Sequence, residues 1–487
     1  MRLNEIVEKY KSAPIQVRAS FWFLICSFLQ KGISVITTPI FTRIMTPAEY
    51  GQFGVFNSWF SIVVIIVSLS LYLGVHMQGL VKFSEERDVF TSSLLGLTTV
   101  LLALWTIVYV VFHQFWNGLF MLTTVQMLAM LVMVWTTAVF NFWANEQRMR
   151  YSYRMLVSVT LIVSAAKPIL EIILILNSDD KVTARILGIV LVELVGYSWM
   201  YFYQMKRGKK FFSGRFWKYA LLFNIPLIPH YLSQVVLNSA DRIMIQSMVG
   251  SDEAGIYNLA YALAMIMTLF NIALMQTLNP WMYQKIKEKK DKEMAPIAYG
   301  TLILIAVINL LLIILAPEAV AIFAPKSYYD AIWIVPPVAV SMYFMYSYDL
   351  FAKHAFYYEK TNFIMLASVL CAAANIVLNY FAIDMFGYIA AGYTTLICYM
   401  MYSITHYLFM RRVCDKYCGG EYPYSTTKIV VITIPFMVIG LAFLAVYNHP
   451  IIRYSIVAAS LIAMIIFRKR IIGFLKQIMD MRSSSDR

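Results

Sequence analysis

The sequence predicts an all-α polytopic membrane protein of about fourteen transmembrane helices, arranged as two parallel-repeat six-helix lobes plus two extra C-terminal helices. Three observations predict it. Apolar segments of membrane length recur along the whole chain, Lys and Arg cluster in alternate loops, and the second half weakly repeats the first. Of 487 residues, 61% are hydrophobic and only 14% charged, where a soluble protein carries roughly a quarter. The formal net charge of +14 must then lie in loops. Topology explains it better than nucleic acid does.

Segments of about 20 apolar residues, the length that spans a bilayer, fall near 19–41, 52–75, 91–112, 119–142, 155–176, 184–204, 218–239, 255–278, 297–316, 331–352, 362–383, 387–409, 429–447 and 451–467. Ahead of them, residues 1–18 contain Arg2, Glu5, Glu8, Lys9, Lys11 and Arg18 and no apolar signal-peptide core. Leu3, Ile6, Val7 and Tyr10 share one face of an expected interfacial helix. After Phe467 the tail alternates cations with Ile471, Phe474, Leu475 and Ile478, as a basic amphipathic helix on an anionic leaflet does.

Charge patterning orients the chain. Arg43, Lys181, Arg185, Arg242, Lys326 and Arg453 occupy one set of alternate loops, and Lys31 and Lys167 lie inside spans. The remaining thirty-two of the 40 Lys and Arg lie in the other loops and the termini. This bias predicts that both termini are cytoplasmic.

Repetition divides the chain. A shift of 204 residues lays Gln30 on Gln234, Ser34 on Asn238, Glu49 on Glu253, Gly51 on Gly255 and Phe53 on Tyr257. MLVSV at 155–159 matches MLASV at 365–369. Six spans per repeat, an even number, make the repeats parallel, a plan found among transporters. The expected parts are a lobe at 1–205, a second at 206–413, and two further helices with the basic tail at 414–487.

Polar residues inside spans carry the functional expectation. Lys31 sits in the middle of the first span, where a lysine costs about 2.5–3.5 kcal/mol on insertion scales. Ser27, Lys31, Ser34 and Thr38 share its helix face. The stripe reads as a cavity lining; the competing reading is a lysine that snorkels or pairs with a neighbouring carboxylate. In the seventh span His230, Gln234, Asn238 and Asp241 form a related stripe. It lines the same cavity or glues helices together by hydrogen bonds. Pro226 and Pro229 loosen this span by removing backbone donors.

Lys167 and Glu171, four apart, are expected to neutralise each other. Glu193 has no local partner, so it is a candidate proton acceptor or a partner for Lys31 or Lys167. Asp349 and His406 are further buried ionisable groups. Asp241 and Arg242 form a helix-end pair, or Arg242 joins Arg43 in a basic exit vestibule. All five cysteines read as free thiols, since a C-x3-C pair at Cys414 and Cys418 without further ligands is poor evidence for zinc. No metal or cofactor is expected. Nucleotide-binding, zinc-protease and serine-hydrolase motifs are absent, so ATP is not the direct energy source.

Three stretches, TRIMTPAEYGQFGVFN (42–57), FNIPLIPHYLSQVVLNSADRIMI (223–245) and ANIVLNYFAIDMFGYIAAGYTTLICY (374–399), resemble the polysaccharide-repeat-unit flippases of Wzx type. These belong to the multidrug/oligosaccharidyl-lipid/polysaccharide exporter superfamily. The last stretch carries Asn375, Asn379, Gly387, Ala391, Gly392 and Thr394 in the family spacing, and Ile383-Asp384 where the family has Ile-Pro.

The resemblance implies a V-shaped exporter fold and no enzyme activity. It implies ion-coupled alternating access that flips undecaprenyl-pyrophosphate-linked oligosaccharide to the outer leaflet. Lys31 and Lys167 would neutralise the anionic cargo, and Gln30, Ser34, Gln234 and Asn238 would hydrogen-bond sugar hydroxyls. Arg43 and Arg242 would serve the exit. Glu171, Glu193, Asp241, His230 and Asp349 are the ion-coupling candidates. Expected partners are the lipid-linked oligosaccharide, membrane lipids, and the polymerase and glycosyltransferases of the same pathway. The alternative is an exporter of drugs or of another lipid-linked precursor. A membrane polymerase or glycosyltransferase would need a large extracytoplasmic loop, and none exceeds about 20 residues.

Overall fold

A computed structural model describes residues 14–469 and 472–474. The interfacial helix expected at residues 3–10, and the tail apart from 468–469 and 472–474, lie outside the described residues. All regular structure among the described residues is helical. The chain divides into two compact units, residues 1–235 and 236–487.

The first unit contains α1 (Ile15–Ile44), α2 (Pro47–Ser68), the short α3 (Gly74–Lys82), α4 (Arg87–Val111), α5 (His113–Phe120), α6 (Thr124–Met149), α7 (Tyr153–Leu176), α8 (Lys181–Gly208) and α9 (Gly214–Asn224). The turn between α1 and α2 is enforced by sequence. Thr46 accepts from the Glu49 amide at 3.3 Å while Glu49 Oε2 accepts from the Thr46 amide at 2.7 Å, a reciprocal cap with Pro47 opening the helix. Thr123 and Gln126 cap α6 in the same way. Phe90, Leu94, Phe142, Trp143, Tyr197 and Met200 form the core of this unit. His76 is fully buried among them, its Nε2 3.0 Å from Thr91 Oγ1 and its ring edge-on to Phe142.

The seventh span runs as one helical stretch, Gly214–Met248, that is locally loosened at Pro226, as its prolines predict. Between α9 and α10 (Ile228–Met248), residues Ile225–Leu227 form a 3-10 turn at Pro226, whose missing amide cannot continue the α-helical ladder. The division between the two units falls inside α10.

In the second unit follow α11 (Ser251–Ala264), α12 (Met267–Lys287), α13 (Ala295–Ile314), α14 (Ala316–Phe323), α15 (Val335–Tyr357), α16 (Thr361–Phe386), α17 (Ala390–Tyr417), α18 (Thr426–Ala442) and α19 (Pro450–Ile466). α15 is buried along almost its whole length, and α17 packs along it. Gly392 allows that approach: a Cβ there would stand 3.2 Å from Pro337.

Every one of the fourteen expected spans coincides with helix. Among the described residues, 11 helices are long and apolar enough to cross a membrane. A twelfth counts if Lys326–Trp333 and α15, bent by 50°, form one span. The other two depart from a plain apolar span for separate reasons. α17 buries Thr394, Thr395, Ser403 and His406, and α19 is apolar but has only 17 residues.

Two of the six cations assigned to extracytoplasmic loops belong to helices and are buried. Arg185 lies in α8 with its guanidinium 3.7 Å from the ring centroids of both Phe41 and Phe53. Arg453 lies in α19 and donates to Glu318 Oε2 at 2.6 Å. Burial alone would raise the Glu318 carboxyl, but the bonds from Arg453 and Tyr454 hold it below the usual carboxylate range. Hydropathy could not separate these cations from loop residues, because their partners are distant in sequence.

Candidate functional site

α1 packs mainly on α7 and leaves most of its surface uncovered by its own unit. Gln30 donates to Ser164 Oγ on α7 at 3.1 Å, which fixes the rotation of α1. Lys31, one residue on, is half-buried, and Ser27 and Ser34 along the same stripe are exposed. Ser34 directs its carbonyl to the hydroxyls of Thr37 and Thr38. Arg43 donates to its own helix at Pro39 O, 2.8 Å away.

The expected Lys167–Glu171 pair is replaced by two interhelical pairs. Lys167 Nζ donates to Glu193 Oε1 at 2.6 Å, and Thr136 on α6 donates to Glu193 Oε2, also at 2.6 Å. Glu171 instead accepts from Arg185 Nε at 3.1 Å. The helix crossing decides this. A Cβ on Gly188 would lie 2.8 Å from Glu171 Cα, so glycine brings α8 against α7, and the cross-helix cation outcompetes the one a turn away. Glu193 is therefore bound by Lys167, one of the two partners weighed for it.

The Glu171–Arg185 pair gives a stability prediction. Arg185→Ala should cost about 3–5 kcal/mol, because it leaves a buried carboxylate without its counter-ion. Replacing both residues together by Leu and Met should recover most of the loss. Thermal unfolding in detergent reads both effects; a silent Arg185→Ala would contradict the pairing.

In the second unit the polar stripe of α10 meets a closed network. Asp241 is fully buried and accepts from Tyr257 Oη at 2.6 Å, Asn379 Nδ2 at 2.6 Å and Thr395 Oγ1 at 2.7 Å. Asn379 Oδ1 in turn accepts from Thr394, and Asn379 Nδ2 also donates to Asn375 Oδ1 at 3.2 Å. Asn238 Oδ1 accepts from Tyr261 Oη at 3.0 Å and Tyr399 Oη at 2.7 Å. A carboxylate and eight polar side chains thus link α10, α11, α16 and α17. The Asp241–Arg242 pair does not form: Arg242 donates to Asn238 O and lies 4.6 Å from the Tyr261 ring centroid. Neighbours along a helix point in different directions, which separates them. Elsewhere Asp349 is held by Lys353 at 2.5 Å, and His230 and Gln234 are half-buried on α10.

Tyr257, Tyr261, Thr395 and Tyr399 were absent from the expected set. The only signal for them was position: Tyr257 occupies the repeat-related place of Phe53. The two rings do different work, Phe53 flanking Arg185 and Tyr257 donating to Asp241.

A second missed feature is a cleft of about 630 Å³ in the first unit, lined by Arg18, Arg150, Arg154 and Arg207 with Tyr153 and Tyr203. Asp88 holds Arg150 and Arg207 at 2.7 Å each. Four guanidinium groups outnumber the nearby carboxylates, Asp88 and the buried Glu146, and leave the cleft electropositive, suited to phosphate. In the sequence these arginines served only to orient the chain.

The profile of a family described as polysaccharide biosynthesis protein matches residues 17–286. Lsg locus protein 1 of Haemophilus influenzae is 28% identical over 205 residues, 39% of this chain and 50% of that protein. The chain thus spans about half the length of the curated relatives it matches. Among solved structures, the lipid II flippase MurJ in an inward closed conformation superposes with a TM-score of 0.68 at 12% identity, over 92% of this chain and 99% of that one. An inward-facing multidrug resistance MATE transporter gives 0.59 at 12% identity, over 79% and 95%. At these identities the structures speak to the fold.

Proposed function

The chain belongs to the polysaccharide biosynthesis protein family, and on that premise we propose that it flips undecaprenyl-pyrophosphate-linked oligosaccharide repeat units to the outer leaflet by ion-coupled alternating access. The observation that carries the reading is Lys31. It is a half-buried cation in the middle of a span, on a stripe its own unit leaves uncovered. Such a group is expensive in hydrocarbon and marks a substrate path. Its charge suits an anionic cargo.

Within this reading the parts divide. The arginine cleft beside Tyr153 receives the pyrophosphate on the side that the loop charges assign to the cytoplasm, and Lys31 meets it inside the span. Gln30, Ser34 and Gln234 address sugar hydroxyls, whereas Asn238 belongs to the Asp241 network. Lys167 acts through Glu193, holding α7 to α8. Asp241 is the coupling carboxylate: it is buried without a cation in direct contact, so its charge state responds to a proton or a metal cation.

The test is transfer in proteoliposomes. Labelled undecaprenyl-pyrophosphate oligosaccharide should cross faster than in protein-free vesicles, and faster again when a proton or sodium gradient is imposed. Transfer of another lipid-linked precursor in preference to the oligosaccharide would favour the second reading, which the likeness to a lipid II flippase fold supports. Transfer of an organic cation alone would overturn both.

A further inference from the structure

At one end of the second unit, three metal-ligating side chains, one from α15 and two from the end of α17, converge away from every group used above. His354 lies in the last turn of α15, Cys414 in the last turn of α17, and Cys418 one residue past its end. A ring nitrogen of His354 and the two Sγ atoms lie within 4.8 Å of one another. His354 and Cys414 are fully buried, and Cys418 is half-exposed, leaving a way in from solvent.

The histidine supplies the independent observation. Its Nε2 is 2.7 Å from Asp291 Oδ1, and Asp291 is itself buried. Its Nδ1 is buried and has no hydrogen-bond partner. With Nε2–H donated to the carboxylate, Nδ1 presents a lone pair in a dry site, which costs about 1–3 kcal/mol when left unsatisfied. Carboxylate, imidazole and open nitrogen in series are the arrangement by which proteins fix the tautomer of a metal-binding histidine.

We propose that His354 Nδ1, Cys414 Sγ and Cys418 Sγ bind one zinc ion. Two thiolates and an imidazole match the donor preference and tetrahedral geometry of zinc, and their two negative charges neutralise it. Tyr358, whose hydroxyl lies 3.6 Å from Cys418 Sγ, stands beside the fourth position. The local backbone is shaped for it. Cys418 N and Gly420 N both donate to Cys414 O, at 2.8 and 3.2 Å, and Gly419 and Gly420 take φ of +65° and +79°. Four residues apart, Cys414 and Cys418 share one helix face, and the turn that leads the chain away begins just beyond them, in a conformation that favours glycine. Bound zinc ties α15 to α17 and, through Asp291, to the 3-10 turn Asp291–Met294. In sequence the site is hidden, because His354 stands 60 residues before Cys414.

The experiment needs no transport assay. Full-length protein purified in detergent and stripped with chelator is titrated with cobalt alone. The expected result is saturation at one equivalent, with thiolate-to-metal charge transfer and the strong visible bands of tetrahedral cobalt, all bleached by zinc. Zinc should also protect Cys418 from maleimide. Cys414→Ser and Cys418→Ser should each lose the charge transfer, Cys26→Ser and Cys371→Ser should keep it, and Asp291→Asn should weaken metal affinity about 10–100-fold. A monodisperse wild-type protein that shows no thiolate–cobalt band overturns the proposal, whatever the variants do. So does a folded Cys414→Ser, Cys418→Ser double variant that binds metal as the wild type does.

Discussion

Asp241→Asn is expected to abolish surface-polysaccharide export while leaving the protein in the membrane at near-normal amount. The substitution keeps the shape of the side chain and one oxygen for Tyr257 and Thr395, which share Oδ2, at the cost of the single bond that Asn379 now donates to Oδ1. What it removes is the ability to take up a proton or a cation. Asp241→Ala serves as the contrast. It strands those donors in the protein interior at about 1–3 kcal/mol each, so protein level and export should fall together. In proteoliposomes Asp241→Asn should lose the response to an imposed gradient. Export at wild-type level by Asp241→Asn would reduce Asp241 to a hydrogen-bonding strut.

Lys31→Ala carries the second large effect, and its sign on stability sets it apart. A mid-span lysine costs about 2.5–3.5 kcal/mol on insertion scales, so removing it should leave insertion and thermal stability equal or improved. Binding of the pyrophosphate-linked cargo should weaken about 10–100-fold, the loss of one charge-assisted contact worth about 1.5–3 kcal/mol. Lys31→Arg should retain most of the function. Loss of export accompanied by loss of protein would assign Lys31 to structure; full export would remove it from the cargo path. Lys167→Ala should behave oppositely, destabilising the first unit, because Glu193 keeps only Thr136 as partner.

Much of the scaffold was legible from residues close together in the chain. Membrane-length apolar runs placed helix at all fourteen expected positions. Pro226 marked the 3-10 turn that loosens the seventh span. Local spacing misled only where ionic partners were inferred from it. Lys167 and Glu171 stand one turn apart, yet each pairs across a helix interface, with Glu193 and Arg185. Four-residue pairs are worth only about 0.2–0.5 kcal/mol, and a well-placed group on a packed neighbour easily exceeds that.

The sequence by itself determined the helical class, the near-count of spans, the polar stripes on α1 and α10, and the position of Lys31 midway along a helix of membrane length. These follow from composition and helical period, which are properties of one segment at a time. The tertiary structure alone decided which polar groups satisfy one another. It closed Asp241 and Asn238 into a network with tyrosines 16 to 161 residues away, gathered four arginines into a cleft, and set His354 beside Cys414 and Cys418. The physical reason is the same in each case. In a medium without water, a buried polar group must find its partner on whichever helix lies beside it, and sequence distance does not enter that choice.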